Sequence, residues 1–256
     1  MTWAEACNEV QRNPEGWKAR LIRASTAVLV PAVARVQGIR FPDRRIDGWW
    51  WTTRWQMEIL MRRNEPISVA WCRRMIRPGM TVVDVGAHMG YYTRLFSTLV
   101  GPRGRVIALE PHPGNFELLR FNTRHCPNVT ILEVAASDRD GEATLHWSVG
   151  SSNHSLVEGY TYSAESSVVS VRRLDTLVSR PIDFLKVDVE GAEVAVLCGA
   201  PVVAAALVEC NVTALAAAGT SPSQLEASLR TLGLIVKQRE NLGLDTWNWL
   251  AATPGQ

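Results

Sequence analysis

Three observations predict an α/β fold with a mostly parallel sheet and helices on both faces. Short apolar runs recur and close on an acidic residue, as in Arg105 to Glu110 and Phe184 to Asp188. Helically patterned segments lie between these runs. The run from Thr81 passes directly into Asp84-Val85-Gly86-Ala87-His88-Met89-Gly90, which reads as strand, tight turn and helix start. Strands alternating with helices of this length predict parallel β-α units with right-handed crossovers.

In chain order, residues 1–40 read as helical, with Trp17 to Ile22 mixing apolar and basic positions, and Gly38 marks a break. Trp49-Trp50-Trp51 and Trp55 either staple the N-terminal segment to the main domain or form a lid over a pocket. The first 65 residues are therefore expected to be a helical, Trp-rich cover, with the main domain over 66–256. A helix from Pro66 stops at Arg77-Pro78-Gly79. The helix after Gly90 runs to about Val100. Asn115 is the expected N-cap of a helix over Phe116 to His125, and Val129 to Ala135 the third strand. Ala143 to Val149 and Val168 to Arg172 read as strands of a hairpin-like insertion, with Gly150 to Ser167 as its mobile loop. Ile182 to Asp188 is the fourth main strand and Ala192 to Leu197 a helix. Ala204 to Val208 is the fifth strand, and Ser221 caps a helix over Pro222 to Leu232. Leu234 to Gln238 and Thr246 to Ala251 pair as a terminal antiparallel hairpin across Asn241-Leu242-Gly243.

Composition narrows the class. Hydrophobic residues make up 46% and charged residues 20% of the chain, as in ordinary globular domains. No apolar run reaches the roughly 18 residues of a membrane span. Met1 to Val10 lacks the charge and apolar core of a signal peptide. The five cysteines include no CxxC pair, which suits reduced thiols and a cytoplasmic location. Residues 1–80 hold 14 Lys+Arg against 7 Asp+Glu, and residues 81–256 hold 13 against 18. The basic segment lacks aromatic and basic residues interleaved as in RNA-binding motifs, so no nucleic-acid partner is expected.

The first turn has Asp-x-Gly-x-x-x-Gly in place of GxGxxG. An acid closing the first strand suits hydroxyls or an ammonium better than a pyrophosphate. The glycines at 86 and 90 would let backbone N–H groups approach a ligand, with Ala87 and His88 shaping the turn. Glu110 fits the acid that binds a ribose at the second strand end, and Asp138 after the third strand can receive an adenine amino group. A ribose, an adenine and a cationic amino-acid tail together describe S-adenosyl-L-methionine.

The runs VVDVGAHMGYYT, ALEPHPGNFELLRFN, AASDRDGEATL, RRLDTL and IDFLKVDVEGAEVAVLCGA resemble the FkbM family of S-adenosylmethionine-dependent methyltransferases. The match spans about residues 58 to 211. It implies a Rossmann-like class I methyltransferase fold: a seven-stranded sheet with six strands parallel and one antiparallel. It also implies O-methylation of a natural product, sugar or lipid, and carries Gly86, Gly90, Glu110 and Asp138 over as cofactor positions. The expected cofactor set is completed by Asp84, Ala87, His88, Pro111, Asn115, Ser137 and Asp188.

A hydroxyl nucleophile must lose its proton as it attacks. Asp188, Glu190 and His154 are the candidate catalytic groups. In a purely structural alternative, one carboxylate of Asp188-x-Glu190 caps the following helix and the other pairs with Lys186. Asp188 or Glu190 with Glu209 or Asn211 also offers oxygen donors suited to Mg²⁺, but no metal is assigned. The expected partner is a small-molecule hydroxyl acceptor, with a homo-oligomer compatible. Transfer to nitrogen on the same fold, or a nicotinamide-dependent oxidoreductase, are the alternatives.

Overall fold

The computed structural model describes residues 2–13, 16–41, 56–61, 64–148, 153–161 and 163–255. The expectations for Trp49 to Trp51 and Trp55 lie outside these residues. The chain divides into two compact units, Met1–Asn64 and Glu65–Gln256. In the first, α1 (Trp3–Arg12) opens with a capping box: Glu5 N–H donates to Thr2, whose N–H donates to the Glu5 carboxylate. It packs against α2 (Trp17–Val36) through Ala6, Val10, Ala19 and Ile22. Val30 and Ala34 of α2 pack with Leu60 from helical residues 56–60. Among the described residues, no helix is long and apolar enough to cross a membrane.

The second unit is built on a seven-stranded sheet. Its strands are β1 (Thr81–Val85), β2 (Arg105–Leu109), β3 (Val129–Leu132), β7 (Ile182–Val187), β8 (Val203–Asn211), β9 (Ile235–Gly243) and β10 (Thr246–Ala252), in the order β3-β2-β1-β7-β8-β10-β9. The five strands from β3 to β8 pair in parallel, and β10 runs antiparallel to both β8 and β9. Six strands therefore point one way and one the other, as expected of a Rossmann-like class I fold. The order reverses between β2 and β7 around β1, which opens the ligand crevice at the carboxyl ends.

Strand periodicity sorts side chains to two cores. Val83, Val85, Leu185, Val187, Ala206 and Val208 face the core that also contains Val196, Leu225 and Leu229. The last three belong to α7 (Glu193–Cys198) and α9 (Pro222–Thr231). Val82, Phe184, Ala205 and Leu207 face the other core, with Trp71 and Cys72 of α3 (Pro66–Met75) and Tyr92 and Phe96 of α4 (Tyr91–Val100). Polar residues of the second parity share the α3–α4 face, which decides where the charges of the site lie.

Several boundaries differ from expectation. The helix after β2, α5 (Pro113–Thr123), is capped by His112, whose Nδ1 accepts from Asn115 N–H; Asn115 is itself helical. Pro113 at the first helical position sets that start. The third strand stops at Leu132, and Ala135–Ala136 forms β4 in a separate three-stranded sheet, ordered β4-β6-β5. There β5 (Gly141–His146) and β6 (Ser166–Arg172) are the expected antiparallel pair. Between β6 and β7 lies α6 (Leu174–Leu177). The terminal hairpin turns at Leu244-Asp245, both in the left-handed region, and not at Asn241 to Gly243. After β8 comes α8 (Val212–Ala217), capped by Asn211.

Candidate active site

The turn after β1 is shaped by packing. Gly86 and Ala87 N–H both donate to the Leu109 carbonyl, and Gly90 N–H donates to Ala87 O. These donors are engaged within the protein, which corrects the expectation that they face a ligand. Gly86 (φ +76°) is small for another reason: a Cβ there would sit 1.8 Å from the Asp188 carbonyl oxygen. That closeness lets Asp188 N–H donate to Val85 O at 3.1 Å. Gly90 (φ +88°) caps α4, and a Cβ there would come within 2.9 Å of Leu119.

Asp84 is corrected too. Its side chain is fully buried beneath the turn, where Thr93 donates to Oδ2 at 2.6 Å. It has no exposed surface through which to touch a ligand. Parallel register places it beside Lys186, which is also buried. The Lys186 ammonium donates to Asp188 at 3.0 Å, approaches Asp84 Oδ1 at 3.9 Å and lies over the Tyr92 ring. Burial works against the Lys186 charge, but the Asp188 and Asp84 carboxylates outweigh it and raise its pKa. The expected Lys186 pairing is present, with Asp188 as partner. The capping half of that alternative goes to Glu193, whose carboxylate accepts from Val189 and Gly191 N–H.

Glu110 closes β2 at the crevice. Its two oxygens accept from His88 N–H at 2.8 Å and His112 N–H at 2.9 Å, and Asn115 also bonds to it. Burial pushes its carboxyl up to about 7. Glu110 thus ties the first turn, with His88 at φ +51°, to the Pro111 loop. His112 stacks on His154 with ring centroids 3.9 Å apart and meets the Trp147 edge at 4.7 Å.

His154 does not have the geometry of a base. Its Nδ1 accepts from Ser148 N–H at 2.9 Å, so the tautomer consistent with that bond carries its proton on Nε2. Nε2 is buried without a partner. Burial lowers the imidazole pKa to about 3. The ring is a wall of the Glu110 side and not part of the carboxylate group.

That group is formed by Asp188, Glu190 and Glu209, whose nearest oxygens lie within 4.8 Å of one another. Asp188 and Glu209 share the α3–α4 face, and Glu190 reaches the cluster from a left-handed position, φ +53°. The Asp188 side chain is 39% exposed. Glu190 Oε2 accepts from Tyr160 O–H at 2.9 Å and Asn211 Nδ2 at 3.4 Å. Burial, then the neighbouring Asp188 charge, pushes Glu190 up to about 8. Glu209 Oε2 is sealed from solvent without a partner, and burial raises its carboxyl well above the usual range. Oxygens of these three could face a cation. Asn211 could not contribute readily, since its Oδ1 caps α8 through Ala214 N–H and its amide donates to Tyr160.

Ser137 and Asp138 make their contacts with other segments. Ser137 is buried, with its carbonyl against Gly199, and Asp138 is exposed beside Arg139 and Arg173. Their hydrogen bonds run to Arg172, Arg139, Arg173 and each other, and to none of the residues around Gly86, Glu110 or Asp188. Conversely, Tyr160, Glu193, His112 and Trp147 join the site without having been singled out. His112 and Glu193 were within reach of sequence reasoning, being two and three residues from Glu110 and Glu190. Tyr160 carried no such signal.

Comparison with known proteins gives a match to the methyltransferase FkbM domain over residues 84–230. The AMB antimetabolite synthetase AmbE of Pseudomonas aeruginosa is 28% identical over 231 residues, 71% of this chain and 11% of that protein. The 2-O-methyltransferase NoeI of Sinorhizobium fredii is 29% identical over 144 residues, 48% of this chain and 58% of that one. This chain thus spans a minor part of AmbE and somewhat over half of NoeI. Among solved structures, Aeropyrum pernix fibrillarin with natively bound S-adenosyl-L-methionine is 17% identical with a TM-score of 0.45, covering 73% of this chain and 74% of that one.

Proposed function

The chain belongs to the methyltransferase FkbM family, and we propose that it transfers a methyl group from S-adenosyl-L-methionine to a hydroxyl of a small-molecule acceptor, a natural product, sugar or lipid. Residues 66–256 are assigned the activity, in a cytoplasmic setting; the five cysteines are all free thiols. Family membership sets aside the nicotinamide oxidoreductase.

The donor set fits the cofactor. Glu110 holds a carboxylate at the β2 end with lone pairs left for ribose hydroxyls, and Asp188 is an exposed carboxylate suited to an ammonium. His88, Pro111 and Asn115 shape the loops on either side of Glu110. When bound, S-adenosylmethionine supplies an activated methyl group on sulfur. The protein's own work is to align donor and acceptor and to take the acceptor's proton.

The observation that carries the O-methylation reading is the carboxylate group at the ends of β7 and β8, beside the Gly86 turn. Lys186 compensates Asp188, which leaves Glu190, in its ionised form, as the base. Its Oε2 is held by Tyr160 and Asn211, and Oε1 receives the proton. NoeI, named as a 2-O-methyltransferase, supports hydroxyl chemistry. A second reading, transfer to nitrogen, draws on the same carboxylates, since three acids suit a cationic amine. Incubating the protein with methyl-labelled S-adenosylmethionine and paired alcohol and amine acceptors separates the two. Label in a methyl ether supports the first reading; label only on nitrogen overturns it.

A further inference from the structure

We propose that Tyr160 is a positioning residue: its phenol, held in turn by Asn211, fixes the Glu190 carboxylate so that one oxygen is left to face the acceptor. The inference rests on reading Glu190 as the base, and it names what makes that base usable.

Glu190 stands at φ +53°, a left-handed backbone conformation that a residue with a side chain keeps only when its surroundings impose it. Those surroundings come from the segment between β5 and β6. Ser155 Oγ–H donates to the Glu190 carbonyl at 2.6 Å, and Val157 N–H donates to Ser155 Oγ at 3.0 Å. Val157 then lies against Gly191, where a Cβ would come within 3.1 Å of it. The same segment delivers Tyr160, whose O–H donates to Glu190 Oε2 while its oxygen accepts from Asn211 Nδ2 at 3.1 Å. Asn211 is fixed by capping α8. Both ends of this relay are therefore anchored, and Glu190 Oε1 is the oxygen left over.

The charges facing Glu190 are Asp188 from the end of β7, Glu193 from α7 and Glu209 from β8, all opposing its ionisation. Against them stand the Tyr160 and Asn211 hydrogen bonds, which favour the carboxylate. Burial raises the Tyr160 phenol's own pKa, so it stays a donor throughout.

The test uses the full chain labelled with ¹³C at glutamate carboxyls, with Glu190→Gln assigning the Glu190 signal. Tyr160→Phe removes only the hydroxyl; 3-fluorotyrosine at position 160 strengthens it as a donor. The expected result is a Glu190 titration shifted upward by at least half a pH unit in the first and downward in the second. Unchanged titrations in both, with both proteins folded by thermal melt, would overturn the proposal. S-adenosylmethionine binding is measured alongside by calorimetry. Its absence in the wild type would count against the methyltransferase reading, while opposed shifts would still support the positioning.

Discussion

Replacing Gly86 by alanine is the sharpest probe of how the two strand ends are joined. Two costs follow from the structure. At φ +76° an L-residue loses about 1–2 kcal/mol. The new Cβ would also sit 1.8 Å from the Asp188 carbonyl oxygen, where real contacts stay beyond 3.0 Å. β1 and β7 must therefore part by about an ångström at their tips, a displacement that can cost roughly 100-fold at a reacting centre. The 3.1 Å bond from Asp188 N–H to Val85 O is then lost, about 0.5–1.5 kcal/mol more. Gly233→Ala is the matched control, since that glycine has the same φ of +76° and nothing within 4 Å of its virtual Cβ. Urea denaturation should show Gly86→Ala less stable than Gly233→Ala by at least about 1 kcal/mol. Calorimetry should show S-adenosylmethionine affinity weakened at least about tenfold in the first variant alone. Equal stabilities and equal affinities would refute the claim that the Gly86–Asp188 contact sets the site.

Lys186→Met strands the buried Asp84 carboxylate and should cost about 3–5 kcal/mol in chemical denaturation; adding Asp84→Asn should return part of it. Stability should also fall between pH 7 and 8.5. There the unfolded chain's glutamates are ionised, while native Glu190, raised to about 8, still holds its proton and releases it across the window. The unfolded state binds fewer protons, so the slope is negative, worth roughly 1 kcal/mol for this group. His88 and His154, lowered to about 4 and about 3, act in the opposite sense, chiefly below pH 6.5. Urea midpoints at pH 7 and 8.5 measure the slope, and Glu190→Gln should reduce it, leaving the part that Glu110, Glu193 and Glu209 contribute in the same sense. His154→Gln should leave the pH dependence of turnover in place, because the imidazole is not the base; loss of the ascending limb would contradict this.

The sheet was legible because strand length, apolar content and terminal acids recur along the chain, and the helices between them leave few topologies open. The pairing of Lys186 with Asp188 was legible from their spacing of two, which places both on one face of a strand. Asp84 was misread for a related reason. In a sheet covered on both faces, the neighbours Val83 and Val85 do not say whether the acid points outward or under the turn, and only the Thr93 and Lys186 contacts decide it. Asn115 was misplaced because His112, an unusual cap, precedes a proline that already starts the helix. Tyr160 was invisible, since its partners Glu190 and Asn211 come from later strand ends and the polar stretch around it has no periodicity.

The most direct test of the central claim is calorimetric titration of S-adenosylmethionine into the wild-type protein and into Glu110→Ala. One binding site in the wild type, weakened at least about tenfold in the variant while its circular dichroism spectrum is retained, is the predicted result. No binding by the folded wild type, or equal affinity in both proteins, would contradict the placement of the cofactor at the ends of β1 and β2.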